Sequence, residues 1–313
     1  MADTRLIASS GACILALGAV GFFGPPGAAL ALLALPLPAL VAGGVGGTSH
    51  ATAATVGAAG VLGGILGGSV AFGFLALAGA PAIVAVLLLR RAWRLEMVVA
   101  AAVLATIVGG LGLAAWHEPN PMVWRDGLDH AWQSSFDTSL QIYRDFGMST
   151  QAVADLDATR AEIAERVAMI LPALVILATA ALWLANLGLS RRWAWWPQLM
   201  TLSRWRTADW MIWVLIASGF ALFLPPRAIG WIAINLFIVS LGCYFAQGLA
   251  IVSYFLQRVG LPRPLRAATF VVIALQNLAA ALVVVLGVFD LWGDFRNLSA
   301  RPADATAGRD ADG

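Results

Sequence analysis

The sequence predicts an all-α fold, a polytopic transmembrane helical bundle of about 8–9 spans with one amphipathic helical insertion outside the membrane. Three observations lead there. Of the 313 residues, 60% are hydrophobic and 12% are charged, whereas a soluble domain is nearer half apolar and a quarter charged. Several apolar runs reach the roughly 20 residues that a helix needs to cross a bilayer. No strand-like alternation recurs, which disfavours a β-barrel. The 13 Trp residues suit interfacial anchoring, and many stand near the ends of apolar runs.

Residues 1–297 read as a single integral membrane domain, and 298–313 as a disordered tail rich in Ala, Asp and Gly. Leu6 to Phe23 is the first span. Its length also fits a signal peptide, but the next apolar run follows at once after Gly24-Pro25-Pro26-Gly27, which argues for retention. Ala28 to Val41 is a short second run. Leu35-Pro36-Leu37-Pro38 interrupts it, so it reads as a kinked or re-entrant helix. If it only dips into the bilayer, the span count takes its lower value.

Thr52 to Leu89 is too long for one crossing and reads as two, divided near Phe72 to Pro81. Gly60, Gly64 and Gly68 stand there at a spacing that lets two helix backbones approach closely. This helix-packing face serves either the chain's own bundle or a partner protein. Met97 to Ala115 is the fifth span.

Trp116 to Arg166 is the sizeable water-facing segment, with nine acidic residues and four Arg. Trp124, Leu128, Trp132, Phe136, Leu140 and Tyr143 form one stripe of an amphipathic helix. Gly147 ends that helix, and Ser149 or Thr150 caps the next. The stripe rests on the bundle or on the membrane interface, or forms a lid over a cavity. Val167 to Leu187, Trp210 to Leu224, Ala228 to about Phe255, and Ala267 to Phe289 complete the set of spans. All 19 basic residues are Arg. The Arg-rich loops 90–94, 191–206 and 258–266 fall on one side, which becomes the cytoplasmic one and leaves 116–166 outside.

The chain carries no Walker A loop, GxSxG, HExxH or CxxC motif, so no motor, cofactor, metal centre or enzymatic activity is expected. His117-Glu118 and the cluster Asp126, Asp129 and His130 read as a solvated helix face; His50 stands apart. Cys13 and Cys243 lie in apolar runs and read as small buried residues. A net charge of +2 leaves no nucleic-acid footprint. Asp209 and Asp290 lie at span ends rather than at mid-membrane, which weakens a proton-coupled transport reading. What remains is a set of uncharged polar residues inside apolar runs: Asn235, Tyr244, Gln247, Gln276 and Asn277. Antiparallel packing of their two helices would bring Gln247 and Gln276 to similar depth. They either hydrogen-bond between helices or line a site for a small polar ligand.

The C-terminal half resembles the YybS-like bacterial membrane proteins, a family catalogued as a domain of unknown function. The residues that carry the resemblance are Asn235, the run Tyr244-Phe245-Ala246-Gln247-Gly248-Leu249-Ala250-Ile251-Val252, the turn Pro262-Arg263-Pro264-Leu265-Arg266, and Leu286-Gly287-Val288-Phe289-Asp290-Leu291-Trp292-Gly293-Asp294-Phe295-Arg296. The front half is similar in style, through Leu35-Pro36-Leu37-Pro38, the glycine-rich third span and Arg90-Arg91. The resemblance implies a distant similarity to the substrate-binding subunits of energy-coupling-factor vitamin transporters, which dock on a separate motor. The expectation is a bacterial inner-membrane protein, either a substrate-binding or permease subunit working with a partner ATPase module, or a scaffold that binds protein partners in envelope growth or division. The substrate-binding reading draws on Asn235, Tyr244, Gln247, Gln276 and Asn277. The scaffold reading draws on loop 191–206 and the outer segment 116–166.

Overall fold

A computed structural model describes residues 34–194, 196, 205–225, 227–293 and 295. The expected first span Leu6 to Phe23, the start of the second, much of loop 191–206 and the 298–313 tail lie outside the described residues. Every regular element among those described is helical. The chain divides into two compact units, Met1–Leu199 and Met200–Gly313.

In the first unit, residues 35 and 36 form a turn, so the proline run does interrupt the chain as expected. Helix α1 then starts at Leu37 and ends at Gly46, with Pro38 in its first turn, where its missing N–H has no intrahelical partner to lose. Gly47, at φ +89°, turns the chain into α2 (Thr48–Leu66).

The division of 52–89 falls elsewhere than the sequence suggests. Gly67, at φ +95°, separates α2 from α3 (Gly68–Phe74). Across Phe72 to Pro81, α3 instead continues through a π turn (Leu75–Gly79) into α4 (Ala80–Arg90). A π turn widens a helix without ending it, whereas a positive φ ends it outright. Beyond lie α5 (Leu95–His117) and α8 (Arg160–Ser190), which enclose the expected fifth and sixth spans.

Small residues let these helices close on one another. Ala51, Ala82, Ala85 and Ala102 are all fully buried, with Leu40, Val86, Val98 and Leu187 around them. A Cβ on Gly43 would sit 2.5 Å from Val86, one on Gly44 would sit 2.2 Å from the Ala194 methyl, and one on Gly109 would sit 2.1 Å from the Ala76 carbonyl. Trp183 on α8 is fully buried, and its indole N–H donates to Thr106 Oγ1 on α5 at 3.1 Å, which satisfies the polar end of the ring. Arg90 reaches back to α1: Nε and Nη2 donate to the Gly43 carbonyl at 3.1 and 2.7 Å, and Nη2 to that of Gly44 at 3.1 Å. The Gly43 carbonyl also accepts the Gly47 N–H, so the guanidinium fills its second lone pair, and a cation at this end of the helix opposes the helix dipole.

Between α5 and α8 stands a two-helix hairpin, α6 (Pro121–Asp145) and α7 (Thr150–Ala158). Gly147 turns the chain at φ +84° and Ser149 caps α7, as the sequence indicates, and Asn120 caps α6. The aromatic stripe is only partly used. Leu140 is buried and Trp132 and Phe136 are half-buried, while Leu128 and Tyr143 stay exposed. Arg160 clamps the hairpin: it donates to Gln133 and Asp137 of α6 and to Asp157 of α7, and its guanidinium stacks 4.8 Å from the Phe136 ring centroid.

The second unit holds α9 (Met211–Ala221), α10 (Arg227–Arg258), α11 (Arg263–Leu275) and α12 (Asn277–Gly293). The run Ala267 to Phe289, read as one last span, is a bent pair, with α11 and α12 meeting at 102°. The bend rests on Gln276, whose backbone is extended (φ −110°, ψ 109°). Its N–H still donates to the Val272 carbonyl and its own carbonyl still accepts from Ala280, so the turn costs few backbone hydrogen bonds. A one-residue break of this kind is invisible to an average over a window of apolar residues.

Among the described residues, five helices are long and apolar enough to cross a membrane, or six if the bent pair counts as one. Helices α1 and α9 are shorter apolar segments. Among the described residues nothing packs within 4 Å of a Cβ on Gly60, Gly64 or Gly68, and Gly68 lies past the Gly67 break. Among the described residues, close approach is made at Gly43, Gly44, Gly109, Gly248 and Gly287.

Alanine substitutions should separate these two groups of glycines. Gly287→Ala should cost about 1–3 kcal/mol, because a Cβ there would overlap backbone 2.0 Å away. Gly60→Ala should be neutral or stabilising by up to about 1 kcal/mol, through helix propensity alone. Thermal melting of the two variants in the same detergent reads the difference, and equal melting points would contradict the packing described.

Candidate functional site

The strongest constellation of polar groups lies where α10 crosses α12. Gly248 and Gly287 bring the two backbones into contact. A Cβ on Gly248 would lie 1.9 Å from the Val283 carbonyl oxygen, and one on Gly287 would lie 2.0 Å from that of Tyr244. The crossing therefore admits no side chain at either position. Gln247 is the neighbour of Gly248, and Asp290 lies one turn beyond Gly287, so the crossing sets these two side chains face to face.

Gln247 and Asp290 are each 1% exposed. Gln247 Nε2 donates to Asp290 Oδ2 at 3.1 Å, and Gln247 Oε1 accepts the Thr207 N–H at 3.0 Å. Asp290 Oδ1 accepts the Phe295 N–H at 3.1 Å. The Thr207 hydroxyl donates to the Cys243 carbonyl at 3.4 Å. The amide of Gln247 thus ties three segments together: α10, α12 and the stretch before α9. A buried carboxylate is tolerable only when donors surround it, and here two come from the protein's own amides. Arg206 completes the rim. Its Nη2 donates to the Leu291 carbonyl near the end of α12 at 3.2 Å and approaches Asp209 Oδ1 at 3.4 Å.

Of the residues singled out from the sequence, Tyr244 and Gln247 come together here, three positions apart on one face of α10. Tyr244 is 1% exposed, and its hydroxyl has no hydrogen-bond partner among the described residues. Asn235 lies further along α10, partly exposed, and donates to the Trp231 carbonyl of its own helix at 2.9 Å. Gln276 and Asn277 are exposed at the α11–α12 bend, and Gln247 meets Asp290 rather than Gln276. The sequence reading missed Asp290, Thr207 and Arg206 as members of the cluster. The available signal was a polar residue beside or one turn from a glycine on each of two apolar helices, Gln247-Gly248 and Gly287 with Asp290.

Two clefts border this unit's helices. One, of about 600 Å³, runs between α9 and α10 and is apolar, with Trp210, Trp213, Ala217, Ile232 and Leu236 on its walls. The other, of about 440 Å³, is bordered by Arg206, Asp209, Ile212, Trp213, Leu291 and Trp292. Among the described residues, no three His, Cys, Asp or Glu side chains cluster closely enough to hold a metal ion.

Long apolar helices, joined by glycine-mediated crossings and carrying a polar helical hairpin between two of them, define a multi-pass helical membrane protein. Over residues 12–291 the chain matches the family described as "Predicted membrane protein (DUF2232)", and it belongs to that family. No curated protein and no solved structure matches it.

The Gln247–Asp290 contact should appear as a coupling energy. Gln247→Leu and Asp290→Leu should each destabilise by about 1–3 kcal/mol, since each leaves a buried partner unpaired. The double variant should lose about 0.6–1.7 kcal/mol less than the sum of the two. Chemical unfolding of the four proteins in detergent closes this cycle, and strict additivity would rule the contact out as an energetic link.

Proposed function

We propose that the chain is a membrane-embedded scaffold that binds protein partners, with no transport and no reaction of its own. The observation that carries this reading is the use made of Gln247: both ends of its amide are engaged, by Asp290 and by Thr207, inside a glycine-closed helix crossing. The side chain best placed to line a ligand site serves instead to hold the helices together. What such a protein offers a partner is its outside. The Arg160-clamped hairpin presents Asp126, Asp129 and Asp145 to solvent, and the Gly60–Gly64 face of α2 has no neighbour among the described residues. In this reading the protein sits in the bacterial cytoplasmic membrane with the hairpin on the outer side, since Arg90, Arg91 and Arg94 stand at the opposite ends of α4 and α5. The expected 8–9 spans are reached if α1, α9, the bent pair and the segment before residue 34 all count as crossings.

A second reading is favoured by Tyr244. Its buried hydroxyl lacks a partner among the described residues and lies on the same helix face as Gln247. A donor in that position suits a substrate-binding subunit of the energy-coupling-factor kind, working with a separate motor, in which the ligand supplies the missing acceptor.

Native mass spectrometry of the protein, extracted in mild detergent from its own host, separates the two. The scaffold reading expects a stoichiometric polypeptide partner, retained in Gln247→Ala and released in Arg160→Ala, which unclamps the hairpin. A small molecule that co-purifies and is lost in Tyr244→Phe would overturn it in favour of the second reading. The orientation has its own check. A cysteine placed at Ser135 should react with a membrane-impermeant maleimide in intact cells whose outer membrane has been permeabilised, and protection there would invert the topology.

A further inference from the structure

The cleft beside Arg206 has a wall composition that neither reading uses. It brings one cation and one anion, Arg206 and Asp209, together with two indoles, Trp213 and Trp292, and the aliphatic Ile212 and Leu291. Its level in the membrane follows from the helices that form it. α9 begins at Met211 and α12 ends at Gly293, and Arg206 Nη2 bonds the Leu291 carbonyl, so the start of one helix and the end of the other stand side by side. Trp213 and Trp292 are 70% and 67% exposed there. Exposed indoles at the ends of apolar helices mark the depth of lipid headgroups.

The two charges form only a long ion pair. Nη2 of Arg206 lies 3.4 Å from Asp209 Oδ1, longer than the roughly 2.7–2.9 Å of a tight charged hydrogen bond. The Asp209 side chain is 78% exposed and that of Arg206 30%, so both charged groups are reachable from the cleft. A ligand that matches this surface carries a phosphate and an ammonium a short distance apart, with hydrocarbon attached on the phosphate side.

We propose that this cleft is a binding site for a zwitterionic phospholipid bearing a primary ammonium, of the phosphatidylethanolamine type. Its phosphate pairs with Arg206 and its ammonium with Asp209, beside the Trp faces, which attract cations. Its acyl chains lie along Ile212 and Leu291. An anionic headgroup would meet Arg206 but be repelled by Asp209. A quaternary headgroup could not donate hydrogen bonds to the Asp209 carboxylate. The inference requires only that the chain sits in a bilayer, and it holds for the scaffold and substrate-binding readings alike.

The test is lipid retention by the full chain in mild detergent, read by native mass spectrometry after titration with dioleoyl phosphatidylethanolamine, phosphatidylglycerol or phosphatidylcholine. The ethanolamine lipid should be retained about fivefold over either competitor, as expected for one added interfacial ion pair. Arg206→Gln should abolish the bound lipid. Asp209→Asn, at an exposed side chain that leaves folding intact, should remove the preference over phosphatidylglycerol while keeping a lipid bound. Equal retention of the three lipids, a preference for phosphatidylglycerol in the unaltered protein, or an unchanged preference in Asp209→Asn would each overturn the proposal. The Asp209→Asn result stands even if Arg206→Gln fails to fold.

Discussion

Inside a bilayer the hydrophobic effect does not draw helices together, because lipid tails are as apolar as the helix surface. Association has to come from close packing and from hydrogen bonds. In the second unit both come from one place. Gly248 against Gly287 removes the side chains that would hold α10 and α12 apart, and that closeness is what lets Gln247 reach Asp290. Gln247 in turn holds the Thr207 amide, which fixes the stretch leading into α9. Asp290 holds the Phe295 amide just beyond the end of α12. Without the two glycines the polar groups would be buried singly, each at the cost of an unmet hydrogen bond.

The first unit solves the same problem with different parts. Its contacts rest on alanines and on Gly43, Gly44 and Gly109, each of which faces a neighbour too close for a Cβ. Polar groups enter singly and locally rather than as a network: the Trp183 indole on Thr106, and the Arg90 guanidinium on the last carbonyls of α1. Arg90 connects helix ends more than forty residues apart in sequence, and its charge meets the negative end of a helix dipole rather than an acid. The hairpin between α5 and α8 obeys the rules of water instead. There Arg160 meets two carboxylates and an amide, and one apolar contact layer around Leu140 and Val153 suffices.

The candidate site therefore reads as architecture before it reads as chemistry. A buried amide whose acceptor and donor ends are both engaged fixes helix register, as polar residues do in helical bundles generally. What is left over for recognition lies at the edges: a buried tyrosine hydroxyl without a partner among the described residues, a charged and indole-lined cleft at the ends of α9 and α12, and a polar helical hairpin between α5 and α8. These three features differ in chemistry, and each suits a different class of partner.

Composition, run length and turn chemistry by themselves determined the class of protein, the polar helical insertion and the turn and cap at Gly147 and Ser149, while the family was legible in the residue motifs of the C-terminal half. Those properties depend on how many apolar residues stand in a row and on turn chemistry, both of which are local. Tyr244 and Gln247 were also legible, because a polar residue within an apolar run is conspicuous on its own. Their partners were not. Asp290 read only as the end of its run until the crossing buried it, and Gln276 read as level with Gln247 until the chain bent at that residue. Glycine spacing was equally ambiguous: Gly60 and Gly64 have the pattern of a packing face and no neighbour among the described residues, while Gly248 and Gly287 have one. A small residue only permits close approach. Whether another helix comes, and which carboxylate it brings with it, is a property of two segments at once, and only the tertiary structure decides it.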